Sequence, residues 1–319
     1  MIVEILLLIV GLVLIIAGAE FLVDGSSSIA RRFGVSEFVI GLTIVGMGTS
    51  APEMVVSFMG AFQGKADIAL GNVIGSNIFN TLLILGVTCF LMPMAITKQN
   101  MKRDIPMNIG ITLLLILLGM HKTFFGIGND VISRWDGILF ILIFAAYMYW
   151  SFKHDKSDEP VEEVTEKQPK LLVAILLVVT GLFALIFGGK VFVNAATEIA
   201  KMVGLSDKFI AVTILAGGTS LPELATCIVA AAKKKGQLAL GNILGSNIFN
   251  ILLILGGSAL IHPLHFGGVN LVDLGVLLLS ALLIWASAHM GKKAQIDRFD
   301  GFVMLACEIG YMVWLFINL

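Results

Sequence analysis

Apolar residues in this chain come in long uninterrupted runs, with the polar residues gathered into short breaks between them. A bilayer core about 30 Å thick takes roughly 20 mostly apolar helical residues to cross. Ten stretches meet that requirement, at 2–23, 37–62, 67–92, 105–121, 136–152, 171–192, 208–232, 237–261, 271–290 and 300–318, the fourth and fifth being short. The first is not preceded by a basic region and carries Glu4, so it reads as a retained span rather than a signal peptide. The one long polar connector, 153–170, holds four Lys against six acidic residues and lacks the D-x-[DN]-x-[DN]-G spacing of an EF-hand. It reads as a solvated cytosolic linker. The expected fold is an all-α integral membrane protein of ten transmembrane helices.

Within those runs the chain repeats itself at a constant offset of 170. GTSAPE at 48–53 returns as GTSLPE at 218–223, and GNVIGSNIFN at 71–80 as GNILGSNIFN at 241–250. Fifteen of the eighteen residues at 69–86 are identical in 239–256. The repeat divides the chain into a five-helix unit at 1–152, the linker at 153–170, and a second five-helix unit at 171–319. Five is odd, so the second unit enters the membrane from the opposite side and the two are expected to be inverted. Inverted repeats are the architecture of secondary transporters with a site at the bilayer midplane. The matched residues are polar, Gly and Pro positions inside the membrane, which packing against lipid alone does not select.

Charge then orients the chain. With the N-terminus outside, inner loops carry 15 Lys and Arg and outer loops 5, a positive-inside bias that places both termini outside a cell (inner) membrane. Only 13% of the 319 residues are charged and 58% are hydrophobic, with mean hydropathy +0.97, so a soluble enzyme is excluded. The net charge of −1 removes a nucleic-acid partner, and Cys89, Cys227 and Cys307 have neither metal-ligand spacing nor an even count. Membrane lipid is the expected surrounding, with no obligate protein partner and no cofactor.

The chemistry lies in the matched segments. Pro52 has no N–H and clashes with the carbonyl four residues earlier, so the helix at 37–62 is expected to break and release carbonyls near Gly46–Thr49. Thr49 and Glu53 share a helical face, with Ser50 beside them; Thr219, Ser220 and Glu223 repeat the set. An ionisable group at mid-span costs about 2.5–3.5 kcal/mol on insertion scales and marks a functional site. Ser76 with Asn80, and Ser246 with Asn250, add hydroxyl and amide oxygens four residues apart. Gly71 with Gly75, and Gly241 with Gly245, make small faces for close helix approach. Oxygen-only ligands without His, Cys or Met suit hard cations, and a flexible cage suits Ca²⁺ better than Mg²⁺. Two carboxylates balance one Ca²⁺ or two or more Na⁺, but not both loads at once.

The doubled GTS-x-PE and GN-x-x-GSNI-x-N segments resemble the α-repeats of the sodium/calcium exchanger family, within the cation/calcium antiporter superfamily. The resemblance implies a compact, prokaryotic-type antiporter that exchanges Na⁺ for Ca²⁺ by alternating access. It implies that Glu53 and Glu223 are shared by both ions, that Thr49, Ser50, Ser76, Thr219, Ser220 and Ser246 form flanking Na⁺ sites, and that Asn80 and Asn250 line the centre. Some members carry Asp at one of these last two positions, where it matters for K⁺; Asn at both favours potassium independence.

Plainer roles compete at some positions. Intrahelical back-bonding is available to Thr49, Ser50, Thr219 and Ser220, and Asn77 and Asn247 read as interhelical hydrogen-bonders. Glu20 and Lys190 lie near opposite membrane faces and are explained by snorkelling. A Ca²⁺/H⁺ antiporter is the nearest rival function, although those relatives usually show GN-x-x-E where this chain has GTS-x-PE. An intramembrane aspartyl-type protease would use the two carboxylates but leave the hydroxyls and amides without a role.

Overall fold

A computed structural model describes residues 1–126, 128–155, 169–204, 217–267, 269–290 and 294–318. Its main helices are α1 (Ile2–Phe33), α2 (Glu37–Thr49), α3 (Ala51–Phe62), α4 (Ala66–Leu91), α5 (Ile105–Gly119), α6 (Arg134–Lys153), α7 (Leu171–Met202), α8 (Leu221–Ala232), α9 (Gly236–Ile261), α10 (Leu271–Met290) and α11 (Arg298–Asn318). Seven of these are long and apolar enough to cross a membrane, or eight if α2 and α3 are one span bent by 50°. The expected span at 208–232 is seen only from residue 217 onward, as α8; the rest lies outside the described residues. Large apolar side chains such as Leu6, Leu142, Leu172 and Phe183 stand exposed on the outer helices, a surface suited to lipid rather than water.

Several boundaries differ from the hydropathy pattern for identifiable reasons. Helix α1 runs ten residues beyond its apolar stretch because its polar end, Ser26–Ser28 included, is buried against α2 and α8. It stops at Gly34, whose left-handed conformation (φ 64°) returns its N–H to the Ala30 carbonyl. Ser36 then caps α2 by accepting from the Val39 N–H at 3.2 Å. Helix α5 is preceded by a wide π-helical turn, Asn100–Asp104. There Arg103, one of the 15 basic residues that the charge count assigns to inner loops, is buried on Asp104 and lies 5.6 Å from the centre of the Trp150 ring.

The packing is reciprocal between the two halves. Helices α1 and α7 cross through glycines: a Cβ on Gly18 would come 2.8 Å from the Gly181 carbonyl oxygen, and one on Gly181 would come 2.8 Å from that of Gly18. Two short antiparallel ladders tie the halves at the loops, β1 (Met94–Ala95) to β4 (Gln295–Ile296) and β2 (Val131–Ile132) to β3 (Leu264–His265). Gly86 meets Gly301 on α11 as Gly256 meets Gly137 on α6.

One contact is not reciprocal. The C-terminal end of α1 packs on α8, where the Lys233 ammonium pairs with Asp24 at 2.7 Å. The matching pair, α7 and α3, makes no comparable contact among the described residues. Beside the closed pair, Gly241 and Gly245 of α9 sit directly against the α2 backbone. Lys235 lies 3.7 Å from Glu37, and burial lowers the pKa of its ammonium. For Gly71 and Gly75 the repeat offset puts the corresponding partner segment outside the described residues.

Gly181→Ala is expected to lower stability by about 1–3 kcal/mol, because the α1–α7 crossing has no room for a methyl group. Gly189→Ala, where an added Cβ would meet no atom within 4 Å, is expected to leave stability near wild type. Thermal unfolding in detergent distinguishes the two.

Candidate ion-binding site

Both copies of the proline motif end one helical segment and start another. Ser50 (φ −80°, ψ 10°) and Ser220 (φ −89°, ψ 8°) leave the helical region, and Pro52 and Pro222 follow in the first turns of α3 and α8. Proline is tolerated there because the first-turn N–H groups have no intrahelical partner. Glu53 and Glu223 fall in the same first turns, where a helix N-terminus favours negative charge. Each carboxylate is 1% exposed.

The serines answer each other's glutamates across the repeat. Ser50 Oγ donates to Glu223 Oε1 at 2.9 Å, and Ser220 Oγ donates to Glu53 Oε1 at 3.0 Å. Ser76 Oγ reaches Glu53 Oε1 at 3.5 Å. Thr219 lies beside the Glu53 carboxylate and Thr49 beside that of Glu223. Ser246 Oγ donates to the Gly46 carbonyl at 3.3 Å, a carbonyl that also accepts from the Ser50 N–H at 3.1 Å and so is not released by the break as expected.

The asparagines form a second crossed set. Asn80 and Asn250 each open a π-helical turn, Asn80–Leu85 and Asn250–Leu255. Wide turns of this kind recur at functional sites. Asn80 Nδ2 donates to Asn247 Oδ1 at 3.3 Å and Asn250 Nδ2 to Asn77 Oδ1 at 3.0 Å. Asn77 Nδ2 donates to the Asn247 carbonyl at 3.1 Å, and Asn247 Nδ2 to Thr81 Oγ1 at 2.9 Å. Asn77 and Asn247 therefore carry the interhelical role read from their position. The amide nitrogens of Asn80 and Asn250 are committed to them, which leaves the amide oxygens free.

Four buried oxygens remain without a donor: Oε2 of Glu53, Oε2 of Glu223, Oδ1 of Asn80 and Oδ1 of Asn250. Buried polar atoms are normally paired, and the cost of leaving a carboxylate unpaired in a low dielectric is large. Among the described residues no Lys, Arg or His makes an ion pair with either glutamate. Nor do three or more His, Cys, Asp and Glu of the described residues gather anywhere as a metal cluster. Carboxylate, amide, hydroxyl and carbonyl oxygens are the donor set of a hard cation.

Thr49 makes the intrahelical back-bond considered for it and a contact to the other half. Its hydroxyl lies 3.1 Å from the Val45 carbonyl, the back-bond within the helix, and 3.1 Å from Asn242 Oδ1 on α9. Asn242 is a residue that the sequence reading does not single out. It donates on to Cys227 Sγ at 3.3 Å, and its mate Asn72 donates to the Glu53 carbonyl at 3.1 Å. A signal for both exists, since the two asparagines belong to the repeated GN dipeptide.

A profile of the sodium/calcium exchanger protein family matches residues 3–153 and 173–317. The chain belongs to the sodium/calcium exchanger family. CaxA of Alkalimonas amylolytica, named a putative antiporter, is 40% identical over 331 residues, covering 99% of both chains. The sodium/calcium exchanger MaX1 of Methanosarcina acetivorans is 31% identical over 353 residues, covering 98% of this chain and 99% of its own. A solved structure of the sodium-calcium exchanger NCX_Mj superposes with a TM-score of 0.85 at 32% identity, over 98% of this chain and 99% of that one. This exchanger is thus a membrane transporter and not an enzyme, which removes the protease reading.

Asn247→Ala strands the Asn80 amide and the Thr81 hydroxyl together, and is expected to destabilise this exchanger by about 1–3 kcal/mol. Thermal unfolding checks this, with Asn247→Asp as a variant that keeps the acceptor for Asn80.

Proposed function

We propose that this protein exchanges Na⁺ for Ca²⁺ across the cell membrane by alternating access, with both ions competing for one site between Glu53 and Glu223. The observation that carries the reading is the set of four unpaired buried oxygens on Glu53, Glu223, Asn80 and Asn250. They sit where two carboxylates lack a basic partner, so a cation is the missing half of the electrostatics. Thr49, Ser50, Ser76, Thr219, Ser220 and Ser246 surround them and supply the further oxygens that partly dehydrated Na⁺ needs. Asn at both 80 and 250 supports independence from K⁺.

The same reading takes 1–152 and 171–319 as inverted five-helix repeats joined by the 153–170 linker, giving ten crossings with both termini outside. The reciprocal contacts of α1 with α7, and of β1 with β4 as β2 with β3, support it. The non-reciprocal contact then has a direction. Helix α1 packs on α8 at the side rich in Lys and Arg, and among the described residues α7 makes no matching contact with α3; an outward-facing state fits that difference. Access alternates when the first pair separates and the second closes.

Reconstituted protein is expected to take up Ca²⁺ when an outward Na⁺ gradient is imposed, and Glu53→Gln or Glu223→Gln is expected to abolish uptake while the protein still folds. Near-normal transport in either variant would place the site elsewhere, and uptake driven equally by a pH gradient without Na⁺ would make the protein a Ca²⁺/H⁺ antiporter. Protons compete with cations for the two carboxylates, so exchange is also expected to fall as pH drops from about 8 to about 5. A flat initial-rate profile over that range contradicts competition at carboxylates.

A further inference from the structure

The turns that follow α3 and α8 share one backbone shape and carry two different charge patterns. After α3 the Gly64 N–H bonds the Ala61 carbonyl at 3.0 Å, and the Lys65 N–H bonds that of Gly60 at 2.9 Å. After α8 the Lys234 N–H bonds the Ala231 carbonyl at 2.9 Å, and the Lys235 N–H bonds that of Ala230 at 2.8 Å. The middle residue is left-handed in both, Gly64 at φ 69° and Lys234 at φ 59°. Glycine takes that conformation freely, whereas Lys234 is the one non-glycine residue with positive φ among those described. At the offset of 170, Gln63-Gly64-Lys65 is answered by Lys233-Lys234-Lys235.

Two of these three lysines reach the other half. Lys233 Nζ pairs with Asp24 on α1 at 2.7 Å, and Lys235 Nζ lies 3.7 Å from Glu37 in the first turn of α2. In the repeat, Asp24 is matched by Asn194 and Lys233 by Gln63, so the ion pair is answered by two amides, both exposed. Lys65 matches Lys235, and the mate of Glu37, residue 207, lies outside the described residues. Helices α1 and α7 cross antiparallel, with Gly25 against Ala174 and Gly11 against Phe192, so Asp24 and Asn194 stand towards opposite ends of the molecule. Helix α1 packs on α8 at the charged turn, and among the described residues α7 makes no matching contact with α3 at the neutral one.

We infer that Asp24 and Lys233 are a latch that holds one access side shut, and that Asn194 and Gln63 are its uncharged counterpart on the other side, so the sequence itself biases the protein towards the state in which α1 lies on α8. The inference rests on the proposed alternating access and adds an energetic preference to it. Two identical inverted copies have two closed states of equal energy, so a preference comes from positions where the copies differ. Here the difference is an ion pair made only while α1 lies on α8. Asp24 is 51% exposed and Lys233 30%, so the attraction is that of a surface pair and biases the equilibrium about two- to fivefold, not by orders of magnitude. A latch of that strength leaves both states populated, as exchange requires.

The test is transport in oriented vesicles with Ca²⁺ presented to one face at a time, read as the apparent KM at the α1–α8 face divided by that at the opposite face. Asp24→Asn with Lys233→Gln installs the amide pair at unchanged net charge, and is expected to lower the ratio about two- to fivefold, because the fraction of protein open to the α1–α8 face rises. Asn194→Asp with Gln63→Lys arms the opposite side, and is expected to lower the ratio by a similar factor alone and to multiply with the first pair of changes. Asp24→Asn and Lys233→Gln are each expected to lower the ratio when made singly, whereas an effect of surface charge on local Ca²⁺ moves the two in opposite directions. Lys234→Gly keeps both lysine contacts, relieves the left-handed residue, and is expected to keep the wild-type ratio. The inference is overturned if the neutral double variant keeps the wild-type ratio, if the two single variants move it in opposite directions, or if Lys234→Gly lowers it as far as they do. Each of those results leaves the antiport reading intact so long as Glu53→Gln abolishes exchange; exchange that survives Glu53→Gln is the separate failure of the parent reading.

Discussion

Hydrocarbon offers no hydrogen bonds, so every polar atom placed in it must be answered by another atom of the protein or by something the protein carries. This constraint shapes the whole site. The chain breaks at Ser50 and Ser220, and the serines at those breaks answer the glutamates of the opposite repeat at 2.9 and 3.0 Å. The asparagine amides are tied down by Asn77 and Asn247. What these arrangements leave over is oxygen only, on four residues of α3, α4, α8 and α9. Packing thus leaves acceptors unanswered on both carboxylates and both amides.

Close backbone approach makes that concentration possible. At the α1–α7 crossing and along the α2–α9 contact, glycines let main chains meet where any side chain would hold them apart. Small-residue faces are the general means by which membrane helices approach this closely. The contact of α1 with α8 is supplemented by an ion pair, Lys233 with Asp24. The outer helices, by contrast, present bulky Leu and Phe to lipid and take no part in this.

Much of this is legible in the sequence, because the repeat prints its buried polar residues twice. Glu53 and Glu223, the proline breaks and the Ser76 and Asn80 faces all follow from identity at an offset of 170 combined with the cost of polar groups in a membrane. Other features are hidden for physical reasons. The π-helical turns at 80–85 and 250–255 arise from tertiary packing, and no residue type signals them. Asn242 is visible as a repeated residue, but its bond to Thr49 depends on two helices from different halves meeting. Hydropathy misplaces the end of α1 and the π turn before α5 because it reads polarity as exposure, whereas Ser26, Ser27 and Arg103 are buried against protein.

The crossed serine–glutamate bonds carry one more implication. Ser50 serves the carboxylate of the second half and Ser220 that of the first, so neither half contains a finished ligand shell of its own. A change at either serine is accordingly felt by the carboxylate of the other half, so the two copies are coupled and not independent spares.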